Sequence, residues 1–105
     1  MYKAIKVLKP GGLENLISET VQSRDPEADE IQVEIRASSL NFHDYLVAVG
    51  LIPVGEGRVP LSDGAGVVSK VGERVDSFKI GDKVLGYFFP KWEDGYPNPA
   101  KMAGI

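Results

Sequence analysis

His43 is the single histidine of the chain, and Asn41, Asp44 and Tyr45 stand within two residues of it. An imidazole titrates near neutrality and can pass a proton, and a neighbouring carboxylate can orient its ring. The same residues also suit the first turn of an exposed helix, with Asn41 as N-cap and Asp44 favoured by the helix dipole. Ser62-Asp63, just ahead of Gly64-Ala65-Gly66, is a second polar pair, and a plain turn uses the same residue types. Tyr87, Phe88, Phe89, Trp92 and Tyr96 could line an apolar pocket or fill a core. Pro90, Pro97 and Pro99 put part of that run on a loop.

Several chemistries are excluded. The chain has no cysteine, so disulfides, thiolate metal sites and a cysteine nucleophile are absent. A zinc site would need several carboxylates around His43 alone, and no such spacing occurs. No serine sits in a G-x-S-x-G setting. Gly64-Ala65-Gly66 lacks the third glycine of a dinucleotide fingerprint, since position 69 is Ser69, and it enters a strand rather than a helix. Glycines that allow close backbone approach or a bulge explain it better. With 12 basic and 15 acidic residues, the net charge of −3 gives no electrostatic footprint for nucleic acid or an anionic membrane.

These residues need elements to hold them. The chain of 105 residues is sized for one small domain. Its 12 glycines and 7 prolines are spread along the chain, which suits many short strands better than long helices. Strands are expected over Tyr2–Leu8, Leu16–Val21, Glu30–Ala37, Ala65–Val71 and Lys83–Phe88. Ile31, Val33, Ile35 and Ala37 alternate with polar residues, which predicts one buried face. Between them, residues 41–49 can make two to three helical turns that stop at Gly50. The opening residues lack the apolar core of a signal peptide, and no apolar run approaches the ~20 residues of a membrane span. A cytoplasmic location is the expectation.

Leu61-Ser62-Asp63-Gly64-Ala65-Gly66-Val67-Val68-Ser69-Lys70-Val71-Gly72, followed by Val75 to Val84 with its Gly81-Asp82-Lys83-Val84 turn, resembles the medium-chain dehydrogenase/reductase superfamily. There the stretch reads approximately G-H-E-G-A-G-x-V-x-x-V-G-x-x-V-x-x-F-x-x-G-D-x-V. Ala37 to Asp44 resembles the segment upstream of it in the same family, and the opening strands fit as well. The resemblance implies a mainly β fold: a GroES-like, partly open β-barrel with one short helix near residues 41–49, the catalytic domain of these enzymes. It also implies that residues 1–105 are an incomplete catalytic domain, without the Rossmann cofactor domain.

Departures from the family pattern select a branch. Asn41 stands where zinc-dependent members have a cysteine ligand, and Ser62-Asp63 stands where they have His-Glu. Neither Asn nor Ser is a useful zinc ligand, so no metal is expected. The resemblance is therefore to the zinc-independent, quinone-oxidoreductase-like branch, which uses NADPH or NADH to reduce quinones, enones or related carbonyls. It implies catalytic roles for Asn41, His43 and Asp63, and cofactor contacts from Asn41, Phe42 and His43. Ser62, Phe88, Phe89 and Trp92 would bind substrate. The chain alone is expected to bind no cofactor and transfer no hydride, because the nicotinamide has nowhere to dock. The alternative is a non-catalytic GroES-like module that self-associates, with a homodimer built around residues 85–105.

Overall fold

A computed structural model describes residues 1–90 and 93–101. The elements are β1 (Tyr2–Val7), a 3-10 turn (Leu13–Asn15), β2 (Leu16–Val21), β3 (Ile31–Ser39), α1 (Phe42–Ala48), β4 (Asp63–Val71) and β5 (Lys83–Leu85). The fold is mainly β with one α-helix, in open sheets and with no closed barrel among the described residues. Two compact units are present, one of Met1–Asp25 with Leu40–Leu61, the other of Pro26–Ser39 with Ser62–Ile105. No helix among the described residues is long and apolar enough to cross a membrane.

In the first unit, β1 and β2 form an antiparallel pair running from Tyr2 opposite Val21 to Val7 opposite Leu16. Ala4 and Val7 are its buried side chains. Val7 N–H donates to the Arg58 carbonyl at 2.8 Å, and Gly57 N–H returns a bond to the Val7 carbonyl at 3.0 Å. The turn after β1 reaches α1, where Gly12 N–H donates to the Ala48 carbonyl at 2.8 Å. That bond satisfies one of the carbonyls a helix leaves open at its C-terminus.

In the second unit the strand order is β3-β4-β5, all antiparallel. Val68 of β4, 1% exposed, is its most buried side chain. The Gly81-Asp82 turn folds back on β4. Val68 N–H donates to the Asp82 carbonyl and Gly81 N–H to the Val68 carbonyl, both at 2.9 Å. Asp82 Oδ2 accepts Lys79 N–H at 3.0 Å, which closes the turn on itself.

Two expectations are corrected here. The alternation over Ile31 to Ala37 predicted a buried face, yet Ile35 is 58% exposed and Ala37 is exposed. The register slips between Gln32 and Val33 and again between Ile35 and Ala37. The extra residue is Ser69 of β4 at the first slip and Arg36 of β3 at the second, so Ile31, Val33 and Ile35 still share one face of β3; that face is half-buried at Ile31 and Val33 and exposed at Ile35. The strand expected over Lys83–Phe88 ends at Leu85. Gly86 N–H still reaches the Gly64 carbonyl at 3.0 Å, but Tyr87 is 67% exposed and outside the sheet.

Asp29 and Arg74 join the segment before β3 to the turn after β4. The guanidinium bonds the carboxylate twice, Nε to Oδ1 at 2.9 Å and an η nitrogen to Oδ2 at 2.7 Å. This pairing holds the Asp29 carboxyl below the usual carboxylate range. A carboxyl with a lowered folded pKa contributes stability above its unfolded value near 3.9, and that contribution is lost as pH falls through the folded value. The urea midpoint should therefore fall below about pH 4, by a small and salt-sensitive amount because both groups are solvent-exposed. Asp29→Asn should remove that part of the pH dependence when the two proteins are unfolded across this range.

Candidate functional site

Asn41 has extended backbone angles, φ −113° and ψ 158°, and is the N-cap of α1. Its N–H donates to Asp44 Oδ2 at 2.7 Å, while Asp44 N–H donates to the Asn41 carbonyl at 3.0 Å. Together with the Asn41 side chain they make a capping box, which satisfies donors that the first turn would otherwise leave open. At the other end Gly50, with φ +88°, closes a Schellman motif. Gly50 N–H donates to the Val47 carbonyl at 3.2 Å and Leu51 N–H to the Leu46 carbonyl at 2.9 Å. The helix expected over 41–49 is therefore present as Phe42–Ala48, with its start signal at Asn41 and its stop signal at Gly50 both in use.

The capping carboxylate is buried. Asp44 is 3% exposed, and its second oxygen, Oδ1, accepts no hydrogen bond from the described residues. His43 Nδ1 lies 3.8 Å from that oxygen. The His43 side chain is 21% exposed, so solvent and small solutes can reach part of it. Phe42 and Tyr45 stand on the outer side of the helix, with ring centroids 6.1 Å apart and planes inclined by 26°. With Leu40 they form an exposed apolar surface: Leu40 is 81%, Phe42 74% and Tyr45 52% exposed. The first turn of α1 thus joins a polar pair to an aromatic platform, an arrangement suited to a flat ligand with a polar edge.

The remaining candidates lie in the other compact unit. Ser62 directly precedes β4, and Asp63 is its first residue. The Asp63 carbonyl accepts Ser38 Oγ–H at 2.6 Å, which fastens the start of β4 to β3. Leu61, just before them, has φ +82°, a conformation a branched side chain rarely adopts. An open hollow of about 310 Å³ lies against Ser38, Asp63 and Leu85, and a larger one of about 490 Å³ against Arg36, Val67 and Leu85. Phe88 and Phe89 are half-buried with ring centroids 4.8 Å apart, and Tyr87 and Tyr96 are exposed. Trp92 lies outside the described residues.

The structure thus gathers Asn41, Phe42 and His43 on one helical turn, and Ser62, Asp63, Phe88 and Phe89 in the unit of β3-β4-β5. It adds Asp44 as a buried member and Tyr45 as the stacking partner of Phe42. The i, i+3 spacing of Phe42 and Tyr45 carried that contact in the sequence. Nothing in the sequence distinguished an Asp44 buried at the cap from one exposed in a first turn.

The family of the alcohol dehydrogenase GroES-like domain matches residues 27–104. The chain belongs to this family. Among curated relatives, the GroES-like domain is 44% identical over 71 residues to the zinc-type alcohol dehydrogenase-like protein of Schizosaccharomyces pombe, covering 66% of the chain and 20% of that protein. It is 42% identical over 82 residues to a mycocerosic acid synthase-like polyketide synthase of Mycolicibacterium smegmatis, covering 76% and 4%. Among solved structures it matches Escherichia coli quinone oxidoreductase complexed with NADPH, with a TM-score of 0.72 and 38% identity, covering 81% of the chain and 26% of that protein. The GroES-like domain therefore spans about a fifth or less of these curated relatives and about a quarter of that solved structure. Residues 1–26 lie outside the family match.

Among the described residues of the GroES-like domain, no group of three or more His, Cys, Asp or Glu side chains is arranged to hold a metal ion. Elemental analysis of dialysed protein should find far less than one zinc per chain. A stoichiometric zinc would require ligands other than Asn41 and Ser62.

Proposed function

We propose that this GroES-like domain is the substrate-facing part of a zinc-independent, NAD(P)H-dependent oxidoreductase that reduces a quinone, an enone or a related carbonyl. The observation that carries the reading is the 38% identity and shared fold with a quinone oxidoreductase over 81% of the chain. Asn41 and Ser62 at the positions of zinc ligands in the wider superfamily support the zinc-independent branch. In the complete enzyme the cofactor supplies a hydride. The Gly64-Ala65-Gly66 stretch does not suit the phosphates of a dinucleotide. Gly64 and Gly66 lie within the β4 ladder, and a Cβ at Gly66 would strike the Glu34 carbonyl, so no open glycine-rich turn leads into a helix there.

The chain's own part is to bind, orient and protonate. The Asn41 side-chain amide donates to the substrate carbonyl oxygen and favours the charge that develops on it. His43 relays a proton from solvent to that oxygen. Phe42 and Tyr45 offer a stacking surface for a planar ring. Asp63 and Ser62 shape the region that holds a metal in zinc-dependent relatives.

Two measurements test the reading. The 105-residue chain should leave NADPH fluorescence unchanged up to about 1 mM. The protein encoded by the complete gene should oxidise NADPH in the presence of a quinone or enone, and Asn41→Ala should lower kcat by about 10²-fold. A complete protein that oxidises NADPH with no such acceptor, or an Asn41→Ala variant with unchanged kcat, overturns it.

A further inference from the structure

The mechanism above leaves one buried group unused. Asp44, 3% exposed, caps α1 through Oδ2 alone, and its Oδ1 is buried with no hydrogen bond from the described residues. A buried carboxylate oxygen without a donor is costly, so an accessible donor is drawn to it. His43 Nδ1 is 3.8 Å away, and an approach of about 1 Å brings it to hydrogen-bond length. We propose that Asp44 is a positioning residue whose Oδ1 holds His43 as the Nδ1–H tautomer.

The consequence follows from the ring. A neutral imidazole carries one N–H, and the bond made by one nitrogen decides the state of the other. With the proton fixed on Nδ1, Nε2 carries the lone pair and is the nitrogen that takes a proton from water and gives it up again. Asp44 is itself pinned by the Asn41 amide, so the orientation of His43 is tied to the cap of α1. This inference rests on the proton-relay role given to His43, but its test needs neither cofactor nor substrate.

Because His43 is the only histidine, the ring nitrogens of 15N-labelled chain give one unambiguous pair of signals. At about pH 8, where a model imidazole is neutral, the wild type should be mainly the Nδ1–H form, although free imidazole side chains prefer Nε2–H. In Asp44→Asn the amide oxygen replaces Oδ2 as acceptor for the Asn41 N–H. The amide NH2 then faces Nδ1 and can only donate, so the preference should invert to Nε2–H. Unchanged Val47 and Ala48 amide shifts would show that α1 persists. A wild type that is mainly Nε2–H overturns the proposal by itself, whether or not the variant folds. So does an Nδ1–H form that survives Asp44→Asn. Failure of the oxidoreductase assay, with the tautomer inverted as expected, would leave this pairing standing and remove only the reaction.

Discussion

Gly66→Ala should destabilise the protein by about 3 kcal/mol, near the upper end of what overpacking a well-fitted site costs. A Cβ at position 66 would fall inside contact distance of the Glu34 carbonyl oxygen and lie 2.9 Å from Val33 Cγ1. The first of these is backbone in the neighbouring strand and cannot swing aside. Gly66 pairs with Ile35 beside the bulge between Ile35 and Ala37. Alanine gains at most about 1 kcal/mol over glycine from reduced chain entropy, which is too little to offset the overlap. Gly64→Ala, two residues away on the same strand, is the control. Its Cβ would meet only the tip of the Ile35 side chain at 3.3 Å, and a methyl group can rotate away. Urea unfolding should show a midpoint lower by roughly 1–3 M for Gly66→Ala, given typical slopes for small proteins. Gly64→Ala should stay within about 1 kcal/mol of wild type. Equal effects from the two would mean that β3 and β4 do not approach as closely as described.

Gly50→Ala should cost about 2–3 kcal/mol and disturb the helix that carries Asn41 and His43. Two causes act together. At φ +88° an L side chain is strained by roughly 1–2 kcal/mol. A Cβ there would also strike the Pro10 carbonyl oxygen, with Gly11 Cα at 3.3 Å. The contact matters because the same turn receives the end of α1 through Gly12 N–H and the Ala48 carbonyl. Gly50→Asn separates the causes. Asparagine tolerates a left-handed backbone better than alanine does, but it carries the same Cβ. If the contact dominates, Asn should rescue little of the loss. Full rescue by Asn would assign the whole effect to backbone conformation. If the proposed reduction is this protein's activity, either variant should raise KM or lower kcat only through displacement of α1, since Gly50 stands a full helix length from Asn41.

The helix was legible before any fold was considered. Asn41, Asp44 and Gly50 act on backbone groups within a few residues of themselves, and capping boxes and Schellman motifs are local in sequence. The Gly81-Asp82 turn was readable for the same reason, since Asp82 bonds the amide of Lys79 three residues back. Family membership was also legible, because the spacing from Ser62 to Val84 is a property of the chain alone. By contrast, Ile35 looked like a core residue by alternation and is 58% exposed. Its exposure depends on what packs over that face of β3, and even the ladder partners of β3 in β4 lie 24 to 40 residues away. No window of sequence contains that information.

The site divides along the same line. The chain alone determined that Asn41 and His43 share one turn and that cysteine is missing. These are matters of residue type and near spacing. Only the tertiary structure decided that Asp44 is buried, that one of its oxygens caps the helix, and that the other faces the His43 ring. Burial is set by everything that packs around a residue, and the same Asn-x-x-Asp motif caps an exposed helix equally well. The physical difference is desolvation. In water a second carboxylate oxygen finds a donor anywhere, whereas a buried one must find it among its neighbours.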